Sequence, residues 1–544
     1  MSYKKMLFRD SAREKILKGA TLLHDAIRVT LGPKSKSVLI EKKWGKPIVC
    51  NDGVTIAKEM SLKDPNENLG VQVLKEAAER TGEVVGDGTS TSTILAYSIY
   101  AEGLRNVAAR ASAIELKKGI ERGLKVAIET IHKISQPVKG RTEMVQVATI
   151  SAHNDEKVGN LVADAVEKVG PEGVITVEEA KGTETTLDIV EGMQFDRGFL
   201  SAYFVTDPQK MEAVLDDPVI LLCDKKISIL KDLLPLLEEV AKQQKPLVII
   251  AEDVDGEALT SLVVNRLRGV LSCLAVKAPG FGDRRKEMLQ DISILTGGEV
   301  VSEEKGIKLD SVTFEILGRA EKVVADKDST TIIGGAGDKS VIDNRCNELR
   351  SLINQTTSEY DKEKLEERLA RLSGGVAVIR VGAPSETELK SLKEAFDDAI
   401  SSTKAAVEEG IVPGAGLALL RTITAVEKEA SKTEGDERTG IMTLRYALEA
   451  PARQIAENSG MDPGVVVEKM RSGKGNYGFD ASTNKYVDLF EYGIIDPTKV
   501  VRVALENAVS VAGVLLLTEA TMTDVEEKAN NAEREHGYSP EFGE

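Results

Sequence analysis

Aromatic side chains are scarce in this chain of 544 residues: phenylalanine, tyrosine and tryptophan together make up 4%, and Trp44 is the single tryptophan. Ala, Val, Leu, Ile and Gly must therefore do the packing, which favours helices and close backbone approaches. Histidine is rarer still, with four copies, and the four cysteines (Cys50, Cys223, Cys273 and Cys346) stand far apart with no CxxC pair. That disfavours a His- or Cys-built metal centre and a disulfide framework, and the thiols are expected to be reduced in a cytosolic protein. No GxxxxGK[ST] occurs, so a P-loop ATPase is disfavoured. The longest apolar run, Ala508 to Leu517, is short for a bilayer span. The N-terminal MSYKKMLFRDSAREKI lacks the apolar core expected of a signal peptide. Positive charge is also in deficit: the formal net charge is −17. Nucleic acid and anionic membranes both reward a basic face, so neither is expected as the main partner.

What is present is length and alternating texture. A chain of this size is long for one hydrophobic core, and two to four domains are expected. SVLIEK (Ser37 to Lys42) and PIVCNDG (Pro47 to Gly53) predict two strands joined by a turn through Gly45, and helical patterns run from there to His132. GVITVEEA and TTLDIVEG are β-rich. From about residue 191 to 375, apolar strands (PVILLCD, PLVIIAEDV, CLAVKAPG) alternate with helices, the pattern of a small α/β domain with a buried sheet. A charged helix or helix pair, stopped by Gly374 and Gly375, precedes the strand VAVIRVG and a helix ending at Gly410. The last hundred residues are mostly helical, with a polar tail from Thr523 that is expected to be mobile.

Two helices of the middle region carry more apolar surface than a sheet can cover. Leu230, Leu233, Leu234, Leu236, Leu237 and Val240 span roughly 160° of a helical wheel. Leu259, Leu262, Val263, Val264 and Leu267 spread over roughly 200°. A helix lying on a sheet needs a stripe of about 100°. The excess serves either a second layer of core or an exposed apolar groove that holds other proteins.

The stretch VGDGTSTSTILA, Val85 to Ala96, poses a sharper question, because Ser and Thr are mediocre helix formers. Two readings fit a helix that opens on Gly86-Asp87-Gly88. In one, Asp or Thr caps the helix and the glycines make the turn. In the other, glycines and the first amides admit an anion, the hydroxyls of Thr89, Ser90 and Thr91 donate to phosphate oxygens, and Asp87 holds a Mg²⁺ between them. Further glycine turns occur at Thr30-Leu31-Gly32-Pro33-Lys34, Asn51-Asp52-Gly53 and Val412-Pro413-Gly414-Ala415-Gly416. Gly334-Gly335-Ala336-Gly337 reads as a plain turn. Asp397 and Asp398 lie on the helix before Gly410, where a solvated carboxylate is the default.

Taken together, TLGPK, NDGVTIAKE, GDGTSTST, ISA (Ile150 to Ala152), EGMQFDRGFLSAYF, KAPGFGDRRKEML, LSGGVAVIRVG, AAVEEGIVPGAG and YGIIDPTKV closely resemble the GroEL-type group I chaperonins, in order and nearly in spacing, to about Ala520. The resemblance implies a multidomain fold. It has a mostly α-helical equatorial ATPase domain (1–135 and 411–544), a small α/β hinge domain (136–190 and 376–410) and an α/β apical domain (191–375). It implies an ATP-dependent chaperone that captures unfolded proteins and encloses them to fold, built as stacked seven-membered rings closed by a GroES-type lid. Thr30, Leu31, Gly32 and Pro33 would contact the nucleotide. Asp87 would bind Mg²⁺, Gly88, Thr89, Ser90 and Thr91 would cradle phosphates, and Ile150 and Ser151 would line the site. Gly414 and Ala415 would face the ribose, with Asp480, Ala481 and Asp496 around base and sugar. Asp52 and Asp398 would position or activate the attacking water, and a K⁺ is expected near Thr30, beside Asn51. Phe199, Tyr203, Phe204, Leu234, Leu237, Leu259, Val263 and Val264 would hold unfolded chains and the lid.

The chain departs from that pattern at Ser35-Lys36-Ser37, at Asn51 for the usual lysine, at Ala415 for a glycine, at Asp480 for an asparagine and at Ala395 for a basic residue. Its acidic end, PEFGE, replaces a Gly-Gly-Met-rich tail. These departures keep open an alternative, a specialised holding paralogue with weak ATPase cycling.

Overall fold

The computed structural model describes residues 4–42, 47–170, 173–180, 182–208, 210–302, 306–356 and 358–524. The Gly45 turn and residues 525–544 of the tail lie outside them. The described residues fall into two compact units, one from Met1–Gly159 with Asp398–Glu544, the other from Asn160–Asp397. The first unit thus joins the two ends of the sequence, which composition gave no means to foresee.

The first unit is a helical body built around Arg9–Ile27, Pro65–Val85, Thr89–Ala108, Ala113–Ile134, Leu417–Ala430, Gly435–Ala447 and Thr498–Leu517. The shortage of aromatics is resolved by glycine contacts. A methyl group on Gly19 would lie 1.8 Å from the Glu67 carbonyl oxygen, and one on Gly70 would lie 2.1 Å from that of Ile16. These two helices therefore touch backbone to backbone. Gly119 and Gly440 do the same for a second pair, at 2.0 Å from the Glu437 oxygen and 2.1 Å from the Leu116 oxygen. The helix Thr498–Leu517 is longer than the apolar run inside it and, by length and composition alone, would suffice to cross a membrane. Its Val501, Leu505, Ala508, Val509, Ala512 and Leu516 instead pack into the core of this unit. Strand Lys4–Phe8 pairs antiparallel with Ala520–Asp524, placing Met6 opposite Met522. Thr523 and Asp524, expected in the tail, are therefore strand residues. Val38–Ile40 and Ile48–Cys50 form the expected antiparallel pair.

The second unit holds two sheets. The larger has eight strands, with Cys273–Lys277, Leu247–Val254 and Val219–Ile227 in parallel order, followed by Gly318–Ala325, Thr330–Gly335 and Gly192–Phe195. Its parallel strands are buried almost residue for residue, as a sheet covered on both faces demands. In the smaller sheet Val376–Val381 is central, parallel to Val174–Glu179 and antiparallel to Thr186–Val190. The charged stretch is a helix pair, Lys339–Gln355 and Glu359–Ser373.

Candidate functional site

A cavity of about 320 Å³ opens in the helical unit. It is built around the turn Gly86-Asp87-Gly88, which links the helices Pro65–Val85 and Thr89–Ala108. Gly86 (φ 70°) ends the first helix and Gly88 (φ 77°) starts the second, both left-handed. A methyl group at Gly86 would also lie 2.4 Å from the Ser401 Cβ. Glycine is thus required by both conformation and space.

The hydroxyl run divides its labour. Ser92 and Thr93 are fully buried, and their hydroxyls donate to the carbonyls of Ala77 (3.0 Å) and Thr89 (3.0 Å). Thr89, Ser90 and Thr91 line the cavity. No side chain caps the helix, whose N-cap residue is Gly88. The capping reading of this stretch therefore fails, and the first-turn amides keep their capacity for an anion. Asp87 turns elsewhere: its Oδ2 accepts from Ser151 Oγ at 2.9 Å and from Ser402 Oγ at 3.1 Å.

Around this turn the fold gathers residues from widely separated stretches. Thr30, Leu31, Gly32, Pro33, Asn51, Asp52, Ile150, Ser151, Asp398, Ala415, Asp480, Ala481 and Asp496 all line the same cavity. Gly414 does not. Its amide donates to the Ile494 carbonyl at 2.9 Å, and a methyl group there would approach Asp496 Oδ1 at 3.2 Å. Thr30 Oγ1 lies 3.0 Å from Ser90 Oγ, joining the first glycine turn to the hydroxyl-rich helix. Asn458, which sequence reasoning passed over, braces that turn by donating to the carbonyls of Arg28 (2.9 Å) and Leu31 (2.8 Å). His153 and Asn154, also unanticipated, line the cavity from left-handed conformations at the end of helix Arg141–Ser151. Ser402 was missed as well, and its only sequence signal is the four-residue spacing from Asp398.

Five carboxylates reach this cavity, from Asp52, Asp87, Asp398, Asp480 and Asp496, and among the described residues no lysine or arginine lines it. Two of the five serve the local backbone. Asp52 caps the helix Gly53–Glu59, accepting from the amides of Val54 (3.2 Å) and Thr55 (2.8 Å). Asp480 accepts from the Ser482 amide (2.8 Å) and the Thr483 hydroxyl (2.5 Å). Its charge is therefore held by its own turn. Burial, reinforced by the nearby Asp87 charge, pushes the Asp496 carboxyl up to about 7. Such a site would repel a polyphosphate unless cations came with it. Its donors are all oxygen, which suits Mg²⁺ held by one or two carboxylates and by phosphate oxygens. No cluster of three metal-ligating side chains exists among the described residues, so a dedicated all-protein metal cage is absent from them. Ala415 keeps a left-handed φ of 54°, the conformation that a glycine would adopt without steric cost.

In the sheet unit the eight expected capture residues part company. Tyr203 is 65% exposed, Leu234 46% and Val264 37%, whereas Phe199, Leu259 and Val263 are half-buried. Phe204 is fully buried and Leu237 is 8% exposed. Both belong to the core under the large sheet, so these two do not face solvent as expected. The reason is periodicity: in helix Leu230–Gln243, Leu233, Leu236, Leu237 and Val240 form the stripe that the sheet covers, and Leu234 stands off it. Arg266 donates to the carbonyls of Phe204 (3.3 Å) and Val205 (3.0 Å), fixing Tyr203 outward beside helix Gly256–Leu267. Leu267 and Phe281 are exposed on the same unit.

Residues 23–526 match the TCP-1/cpn60 chaperonin family. Chaperonin GroEL 5 of Bradyrhizobium diazoefficiens is 68% identical over 527 residues, which cover 97% of each chain. The chain belongs to the TCP-1/cpn60 chaperonin family, and within it to the GroEL-type, group I chaperonins.

Proposed function

We propose that this chaperonin hydrolyses ATP in the cavity of the helical unit and uses that cycle to capture, enclose and release unfolded proteins. The observation that carries the reading is the convergence of an uncapped, hydroxyl-rich helix start with several carboxylates and no basic side chain among the described residues of one cavity. Thr89, Ser90 and Thr91 donate to phosphate oxygens, and the amides that follow Gly88 add the helix dipole. Asp87 holds Mg²⁺, and Thr30 with its neighbours holds K⁺. A bound Mg²⁺ neutralises phosphate charge and orients the phosphate chain. Leu31, Gly32, Pro33, Ile150 and Ala481 shape the walls. Gly414, Ala415, Asp480 and Asp496 meet ribose and base, and Asn51 takes a lysine's place. Asp398 activates the attacking water and Asp52 positions it.

The same reading divides the chain into an equatorial domain (1–135 and 411–544), a hinge domain (136–190 and 376–410) and an apical domain (191–375). Capture falls to Tyr203, Leu234 and Val264 with the half-buried Phe199, Leu259 and Val263, because apolar contact is non-directional and accepts many clients. Cytoplasmic seven-membered rings, stacked and closed by a GroES-type lid, complete it.

The test is ATP turnover by assembled rings of the parent and of Asp398→Ala, with ATP binding measured on both. Binding is expected to persist while turnover falls about 10²- to 10⁴-fold, the usual contribution of a general base. Equal turnover by parent and variant would remove Asp398 from the chemistry.

A further inference from the structure

Two buried hydroxyls and a half-buried carboxylate meet in a triangle beside the phosphate-facing turn. Ser151 Oγ and Ser402 Oγ lie 2.9 and 3.1 Å from Asp87 Oδ2 and 3.0 Å from each other. Ser402 is fully buried and Ser151 nearly so. An ionised carboxylate offers about two acceptor sites on each oxygen. Ser402 donates to Oδ2, and the single Ser151 proton goes either to Oδ2 or to Ser402 Oγ, so the two hydroxyls together engage this oxygen. Oδ1 accepts the Gly88 amide and keeps one site open. The two oxygens of Asp87 are therefore not equivalent: one is occupied by the fold, and the other can take a cation.

Ser402 follows Asp398 by four residues on helix Glu386–Glu409, which puts the two on one helical face. Asp398 itself lines the cavity. The bond from Ser402 thus ties the water-activating carboxylate to the cation-holding one through a single turn of helix.

We infer that Ser402 is a positioning residue: with Ser151 it occupies Oδ2 of Asp87, leaves Oδ1 for Mg²⁺, and sets the distance between that cation and Asp398. The inference rests on the nucleotide reading given above. It is specific to this pair of serines, because alanine at 402 would leave Oδ2 with a spare site, free to rotate toward the cation and loosen the geometry. Buried partners that orient metal-binding carboxylates typically change metal affinity about 10- to 100-fold when removed.

The experiment measures nucleotide binding rather than turnover, in full-length protein carrying Asp398→Ala so that ATP survives. ATP binding is titrated by calorimetry over a range of Mg²⁺ concentrations, with and without Ser402→Ala. The expected result is a rise of about tenfold in the Mg²⁺ concentration that gives half-maximal binding, with full binding recovered at saturating Mg²⁺. An unchanged Mg²⁺ midpoint, even with a lower melting temperature, overturns the inference and leaves Ser402 as a packing residue. Should Ser402→Ala fail to fold, Ser151→Ala removes the other donor to the same oxygen, and the same midpoint shift is expected or the inference falls. Absence of nucleotide binding in the Asp398→Ala parent at every Mg²⁺ concentration overturns the nucleotide reading itself, which separates that failure from a failure of the serine pair.

Discussion

The cavity of the helical unit and the apolar face of the sheet unit were built by opposite routes. Thr30, Asp52 and Asp87 lie more than three hundred positions before Asp398 and Asp496 in the chain, and folding brings them to one cavity. Tyr203 and Phe204 are adjacent, and folding sends one to solvent and the other to the core. The difference lies in what each side chain can tolerate. A carboxylate or a hydroxyl-rich turn cannot be buried without partners, so its place at a cavity wall is nearly forced. A leucine or phenylalanine is equally content in a core or on a capture surface, and only its neighbours decide.

The comparison can be broken most directly at the chemistry. Asp398→Ala should lower turnover by about 10²- to 10⁴-fold without abolishing ATP binding, whereas Tyr203→Ala should leave turnover unchanged and weaken capture of an unfolded client in a light-scattering aggregation assay. Next comes the adjacent pair. Phe204→Ala should cost the sheet unit about 3–5 kcal/mol, and Tyr203→Ala, at an exposed position, should stay within about 0.5 kcal/mol. Denaturant midpoints of the two variants would expose any error in their assignment, and similar midpoints would reject the division drawn here.

A smaller effect sharpens the electrostatics of the cavity. The folded-state carboxyl of Asp496 is pushed up to about 7, well above the carboxylate range expected of the unfolded chain. Between about pH 4 and pH 7 the folded protein therefore holds a proton that the unfolded chain has released. Stability from this group falls as pH rises through that window and levels off above it. Asp496→Asn should be on the order of 2 kcal/mol more stable than the parent at pH 8 without nucleotide, and the gain should vanish near pH 4. Urea unfolding at the two pH values checks the sign. The smallest change is at Ala415, whose left-handed φ of 54° carries a strain that glycine lacks. Ala415→Gly should raise stability by about 0.5–1 kcal/mol, net of the added freedom of the unfolded chain. A loss in thermal melting would show that the alanine methyl is packed rather than strained.

Much of the cavity was legible in the sequence because its residues come in dense polar and glycine clusters. Gly86-Asp87-Gly88 and the following hydroxyls announce a special turn, and the fold adds that Gly88, rather than Asp87 or Thr89, is the cap. Residues that stand alone were missed. Ser402 and Asn458 look like ordinary helix polar positions, and their partners are Asp87 on one side and the Arg28 and Leu31 carbonyls on the other. His153 and Asn154 were not recognised because a helix end gives no sign of which cavity it faces. The apolar arcs were read correctly in extent but not residue by residue. Leu237 lies on the covered stripe while Leu234, three positions earlier, is exposed. A wheel shows the width of an arc but not where the sheet meets it.

The alternation of strands and helices, the polar chemistry of the glycine turns and the kinship of the chain are written in local patterns of period, charge and small residues, and can be read without the fold. Only the tertiary structure shows how the N- and C-terminal segments pack into the one helical unit that the resemblance implies, with Gly119 and Gly440 bringing helices Ala113–Ile134 and Gly435–Ala447 backbone to backbone. It also decided that Ser151 and Ser402 meet Oδ2 of Asp87, and which apolar side chains remain outside the core. Those outcomes depend on contacts between residues far apart in the chain, set by the geometry of packing rather than by any local pattern.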